Sequence, residues 1–230
     1  MIELENITKR FADGLRTKTV LDHLSLKVDE GEFIAIIGES GAGKTTLLNI
    51  LGTLMSPDEG NYYIRDEKVE VSKKENTTKL ARIRNNQIGF VYQDHRLLPQ
   101  FTALQNILLP TLATKNHVTD EEHKRAVQLM QFMGISTLKD SPVTQLSGGE
   151  HARVAICRAL INQPTILLAD EPTGQLDANN AHTIASLFQQ VNDQMNTTII
   201  MATHSAEMAK TARKIFRLED GNLQFLMDNQ

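Results

Sequence analysis

Phe33-Ile34-Ala35-Ile36-Ile37-Gly38-Glu39-Ser40-Gly41-Ala42-Gly43-Lys44-Thr45-Thr46 is the stretch that decides the architecture. Its first five residues are continuously apolar, which suits a strand covered on both faces; a half-exposed strand would alternate. Glycines then free backbone amides to turn towards an anion, and the helix expected over 45–54 adds the positive end of its dipole. Gly38 to Thr45 fills the phosphate-loop pattern completely. Lys44 can reach β- and γ-phosphates, and the Thr45 hydroxyl can ligate Mg²⁺. A chance match in a chain this long is expected on the order of once per hundred sequences. A plain glycine turn would also leave Lys-Thr at the helix start without a reason. The residues read as nucleotide-binding are Gly38, Glu39, Ser40, Gly41, Ala42, Gly43, Lys44, Thr45 and Thr46.

Outward from this loop, β/α alternation recurs. Residues 88–92 read as a short strand, and 165–169 as an apolar strand ending on Asp170-Glu171. Ligand sites of open α/β sheets gather at the C-terminal strand edge. There Asp170 would hold Mg²⁺ and Glu171 would orient or deprotonate a water. An acidic pair at a strand end is also what a solvated turn carries; the phosphate loop in the same chain decides for chemistry. A helix over 179–195 and a strand over 198–202 follow, then His204. Lys214 to Leu218 and Leu223 to Leu226 flank Asp220-Gly221, a hairpin signal. Before the loop, Ile2, Leu4, Ile7 and residues 20–28 read as antiparallel strands. From 94 to 162 the pattern is helical, with Ala126, Val127, Met130 and Met133 at helical spacing before Gly134. Between 64 and 86 the chain is polar, and Lys73-Lys74-Glu75-Asn76 reads as a solvated loop. The expectation is one α/β unit with a helical insertion.

Composition bounds the rest. The 230 residues are 40% hydrophobic and 23% charged, with a net charge of −4. That balance argues against nucleic acid as the partner, since phosphate neutralisation calls for a basic surplus. The single Cys157 excludes an internal disulfide and reads as a small buried residue on a helix. No run approaches the roughly 20 apolar residues that span a bilayer, and the start lacks the segments of a signal peptide. A cytoplasmic protein is expected, with any membrane role supplied by a partner.

Leu146-Ser147-Gly148-Gly149-Glu150, about twenty residues ahead of the acidic pair, resembles the signature motif of ABC ATPases. Gln93 matches that family's Q-loop, Gly174-Gln175-Leu176-Asp177 its D-loop, His204 its switch histidine, and Phe11 the aromatic that stacks on adenine. The resemblance implies a P-loop NTPase (RecA/F1-like) core over 1–93 and 163–230, with an N-terminal antiparallel β subdomain. A helical subdomain over 94–162 would carry the signature. It further implies ATP and Mg²⁺ as ligands, with Thr45, Gln93 and Asp170 around the metal and Glu171, His204 and Lys44 in catalysis. Asp177 would be a further ATP-binding residue, while Ser147, Gly148 and Gly149 would serve the ATP bound by the other subunit, so a homodimer in the ATP-bound state, or a heterodimer with a relative, is implied. Taken singly, Ser147 is also an ordinary helix N-cap, His204 a hydrogen-bonded loop residue and Phe11 a core aromatic. Departures are modest: Glu150 stands where Gln is commonest, Gln175 replaces Asn and Ser205 replaces Asp, and none removes a catalytic group.

Within that family, Ile88-Gly89-Phe90-Val91-Tyr92-Gln93 and the segment from Leu97 to Asn106 are similar to the lipoprotein-releasing (LolD-like) ATPases. That group also includes macrolide-exporter (MacB-like) and FtsE-like ATPases. It implies an integral membrane permease subunit docking near Gln93 and at Leu97, Leu98 and Phe101, three residues that equally suit burial in the helical part. The protein would lie on the cytoplasmic face of the inner membrane and act in export or lipoprotein release. The alternative is an FtsE-like ATPase regulating cell-wall or division machinery. Soluble repair and translation relatives are disfavoured, because no long coiled-coil insertion or second cassette is present.

Overall fold

A computed structural model describes residues 1–14, 16–71, 77–113 and 115–229. The loop expected at Lys73-Lys74-Glu75-Asn76 lies outside the described residues. Strands β1 (Ile2–Asp13), β2 (Arg16–Val28), β4 (Glu59–Ile64) and β5 (Glu67–Lys68) form an antiparallel sheet in the order β2-β1-β4-β5. A second sheet runs β10-β9-β3-β8-β7-β6, from β3 (Phe33–Ile37), β6 (Ile88–Val91), β7 (Ile166–Asp170), β8 (Thr198–Thr203), β9 (Lys214–Glu219) and β10 (Asn222–Asp228). Within it β9, β3, β8, β7 and β6 are parallel, and β10 closes one edge antiparallel to β9.

Parallel strands buried on both faces need apolar residues at every position, and their side chains divide between two cores. Phe33 and Ala35 of β3, Leu167 and Ala169 of β7, and Ile199 and Met201 of β8 face the helices α3 (Ala103–Leu108), α4 (Asp120–Phe132), α5 (Gly148–Leu160) and α6 (Ala178–Met195). Ile34, Ile36, Ile166, Leu168, Ile200 and Ala202 pack instead against α1 (Lys44–Leu51), α2 (Thr77–Asn86) and the inner face of the antiparallel sheet. Cys157 is fully buried in the first core, and burial pushes its thiol pKa well up, as suits a packing residue rather than a nucleophile.

Sequence and structure differ where propensity is a weak guide. The polar stretch 64–86 contains β5 and α2, whose only buried side chains are Leu80 and Ile83; two apolar anchors in ten residues leave little periodicity to read. Helix α1 stops at Leu51 and is capped by Gly52, three residues before the expected end. Three α-helices occupy the middle of the chain among the described residues, each entered through a capping box: Thr102 with Gln105, Thr119 with Glu122, and Ser147 with Glu150. No helix among the described residues is long and apolar enough to cross a membrane.

Candidate nucleotide site

Three neighbouring parallel strands end side by side and deliver the chemistry. β3 runs into the glycine loop, β7 into Asp170-Glu171, and β8, which lies between them, into His204. Gly43 sits at the N-cap of α1 with φ 106°, a conformation that favours glycine, and no side chain caps the helix. The first amides of α1 therefore keep their hydrogen-bonding capacity for an anion. A Cβ at this position would stand 2.9 Å from Val20 Cγ1, which marks how closely β2 presses on the loop.

Lys44 is almost fully buried, and its ammonium donates to the carbonyls of Gly38 at 2.7 Å and Glu39 at 3.1 Å. Glu171 Oε1 lies 3.5 Å from that ammonium. The other oxygen, Oε2, accepts the backbone N–H of His204 at 3.1 Å and lies 2.8 Å from His204 Nδ1. Glu171 holds a left-handed backbone, φ 45°, immediately beyond β7, while its N–H donates to Ala202 O at 2.9 Å. Such a conformation costs a non-glycine residue about 1–2 kcal/mol and is often found at functional sites. The His204 side chain is 66% exposed and stands at the mouth.

Asp170 is buried at the end of β7, and one of its carboxylate oxygens, Oδ1, has no hydrogen-bond partner among the described residues. Burial raises its pKa; the nearby Thr45 hydroxyl and Lys44 oppose that rise and Glu171 adds to it. A buried acceptor with nothing to accept is costly, and a hydrated cation beside Thr45 would supply what it lacks. The residues therefore fit Mg²⁺.

A cleft of about 840 Å³ joins Phe11, Ser40, Gly41, Gly43, Lys44, Thr45, Thr46, Gln93, Glu171 and His204. Gly38, Glu39 and Ala42 line the adjoining depression with Ser40, Gly41 and His204. Phe11 is 38% exposed, so it presents its ring rather than packing in a core. Ala12, Lys18 and Val20 also line the cleft. They escaped the sequence reading because strand register across the β1–β2 hairpin, not any motif, carries them there.

Ser147, Gly148, Gly149 and Asp177 do not line this cleft. Ser147 caps α5, accepting from Glu150 N at 3.4 Å, while the Glu150 carboxylate accepts from Ser147 N and Oγ, both at 2.7 Å, and is held below its ordinary pKa by them. Asp177 caps α6 and accepts from Asn180 N at 3.0 Å and its side-chain amide at 2.6 Å. The two helix starts touch: a Cβ on Gly149 would meet Asn180 Oδ1 at 2.4 Å. Beyond Gln93, His95 and Arg96 form a left-handed turn whose carbonyls accept from the Arg158 guanidinium of α5 at 2.5 and 2.6 Å. The Gln93 segment and the Ser147 helix are thus tied together, a contact no local pattern announces.

Leu97 packs on the helical core, Leu98 is exposed and Phe101 is half-buried.

A phosphate loop, strand-end carboxylates and a histidine on three adjacent parallel strands define a P-loop nucleotide hydrolase. The family model of the ABC transporter matches residues 21–174. A lipoprotein-releasing system ATP-binding protein LolD from Francisella tularensis is 38% identical over 229 residues, covering 100% of this chain and 98% of its own length. A LolD from Saccharophagus degradans is 42% identical, with 97% of this chain and 96% of its own length covered. The macrolide export ATP-binding/permease protein MacB of Syntrophobacter fumaroxidans is 41% identical across 97% of this chain, which spans 31% of that longer protein. Among solved structures, the dimeric ATP-binding cassette MJ0796 in a post-hydrolysis state with ADP and phosphate superposes with a TM-score of 0.89. It is 36% identical, covering 100% of this chain and 99% of its own. This chain belongs to the ABC transporter family, in which it is an ATP-binding subunit that hydrolyses ATP.

Proposed function

We propose that this subunit powers a separate membrane protein in lipoprotein release or a closely related export step, from the cytoplasmic face of the inner membrane. Full-length identity of 38–42% with LolD proteins is the observation that carries this reading. MacB relatives with the cassette fused to a permease support a membrane partner for a chain that has no membrane-spanning helix among its described residues.

The chemistry follows from the cleft. Lys44 would exchange the carbonyls of Gly38 and Glu39 for β- and γ-phosphate oxygens, with the amides of the glycine loop completing the cradle. Thr45, Gln93 and Asp170 would hold Mg²⁺, which when bound offsets charge on the phosphate oxygens. Glu171, held by His204, would take the proton of the attacking water, and His204 would report the γ-phosphate to the carboxylate. Phe11 would stack on the base. Ser147, Gly148 and Asp177, all exposed, and the buried Gly149 between the helix starts lie outside their own cleft and would complete the cleft of a second copy. The 1–93 and 163–230 core and the 94–162 helical part would then act as two halves of one cassette. Arg158 would carry a change at Gln93 to the helix that meets the partner copy. The docking surface for the permease would be the rim near Gln93, with Leu98 and Phe101 offering its exposed apolar area.

The test is capture of the Glu171→Gln protein with Mg-ATP from detergent-solubilised membranes, with co-purifying chains identified by mass spectrometry. A permease-like chain with a large extracytoplasmic domain is expected. Recovery of a cell-wall hydrolase regulator, with no permease-like chain, would overturn the release and export assignment.

A further inference from the structure

Lys18 is the cleft residue to which the hydrolysis chemistry gives no task. It is the direct register partner of Phe11 in the antiparallel β1–β2 pair, so the two side chains leave the same face of the ribbon. Both line the cleft. Val20, at the irregularity two residues on, also lines the cleft and presses against the glycine loop at Gly43. Two residues of strand span about 6.5–7 Å, so Phe11 and Lys18 lie one step out from the phosphate cradle, where a base would rest. The neighbouring Lys9 also approaches the Phe11 ring, at 5.6 Å from its centre, but its ammonium is occupied by Asp58 at 2.8 Å. Among the described residues Lys18 has no ion-pair partner.

Stacking on Phe11 accepts any base, because every base has a π-face. Selection has to come from an edge contact. An ammonium has three donors and no acceptor. Along the edge holding position 6, guanine offers two acceptors, N7 and O6, whereas adenine offers N7 beside an amino donor. We propose that Lys18 is a base-reading residue that favours 6-oxopurines, and that the subunit consequently binds and hydrolyses GTP and ITP as well as ATP. This rests on the reading of the cleft as the nucleotide site.

Equilibrium competition of the magnesium complexes of ATP, GTP and ITP against a fluorescent ATP analogue tests it, on the full chain with K18M and K18R. Wild type is expected to bind all three. K18M should weaken GTP and ITP by roughly 3–10-fold and ATP by less than about twofold, the span of one charge-assisted hydrogen bond at an exposed site. K18R should keep the GTP affinity, and the turnover of GTP by K18M should lose in KM rather than kcat. An equal loss for all three nucleotides would make Lys18 a phosphate contact and overturn the proposal, as would no change or a greater loss for ATP. Wild type that binds none of the three would instead sink the cleft reading itself.

Discussion

Replacing Glu171 with Gln separates binding from hydrolysis. In the structure the carboxylate has one oxygen 3.5 Å from the Lys44 ammonium and the other on His204 N and Nδ1 at 3.1 and 2.8 Å. A glutamine of the same shape can still accept from the His204 N–H, so the fold around β7 and β8 should survive. It cannot take a proton from water. A positioned general base contributes about 10²–10⁴-fold, or about 3–5 kcal/mol of barrier, and that is the expected loss in kcat. Binding should move the other way. A carboxylate so near the loop lysine competes with an incoming triphosphate for it and repels the terminal phosphate; its neutralisation should tighten ATP several-fold. Phosphate release measured beside equilibrium ATP binding, with multi-angle light scattering for mass, reads all of this. The variant with Mg-ATP is expected at twice the chain mass. Hydrolysis within threefold of wild type would refute the assignment of Glu171 as the proton acceptor, whatever the binding.

Lys44→Ala should lower ATP affinity by at least tenfold in the same binding assay, because Lys44 is the one lysine in the loop sequence from Gly38 to Thr46; unchanged affinity would exclude the phosphate-loop reading. Gly149→Ala puts a methyl 2.4 Å from Asn180 Oδ1 and should separate the α5 and α6 starts. Single-chain ATP binding should persist while cooperative hydrolysis falls, seen as a flattened dependence of rate on protein concentration. The Lys115 ammonium at 2.7 Å, with the Thr119 N–H, holds Glu122 at a pKa of about 2, below the ordinary 4.5. Its stabilising contribution is therefore complete above pH 4.5 and lost as pH falls towards 2, and Glu122→Gln should flatten acid denaturation across that window. Tyr62→Phe removes a fully buried hydroxyl that donates to Leu51 O at 2.7 Å, and should cost about 1–3 kcal/mol in chemical denaturation because the carbonyl loses its donor.

Much of the α/β core was legible because its signals are local. Five apolar residues before a glycine-rich loop, and an apolar run ending in two acids, can each be read within about ten neighbours, and in the structure they are the parallel strands β3 and β7, which flank β8. Helix α2 was not legible, because only Leu80 and Ile83 anchor it and the rest of its surface is solvent-facing.

Residue types and motif order by themselves pointed to phosphate chemistry: the full phosphate loop around Lys44 gave the expectation, the acids Asp170 and Glu171 gained theirs from standing in the same chain, and His204 gained its from the family resemblance. Tertiary structure alone decided which of them meet. The β3-β8-β7 order brings Lys44 within 3.5 Å of Glu171, and Glu171 within 2.8 Å of His204, across 127 and 33 positions of chain. It also decided that Lys18 stands beside Phe11 and that Ser147 and Asp177 stand outside the cleft their own chain builds. The physical reason is that strand order and register are set by how the two cores close over the sheet. That balance is summed over the whole chain, and no single segment encodes it.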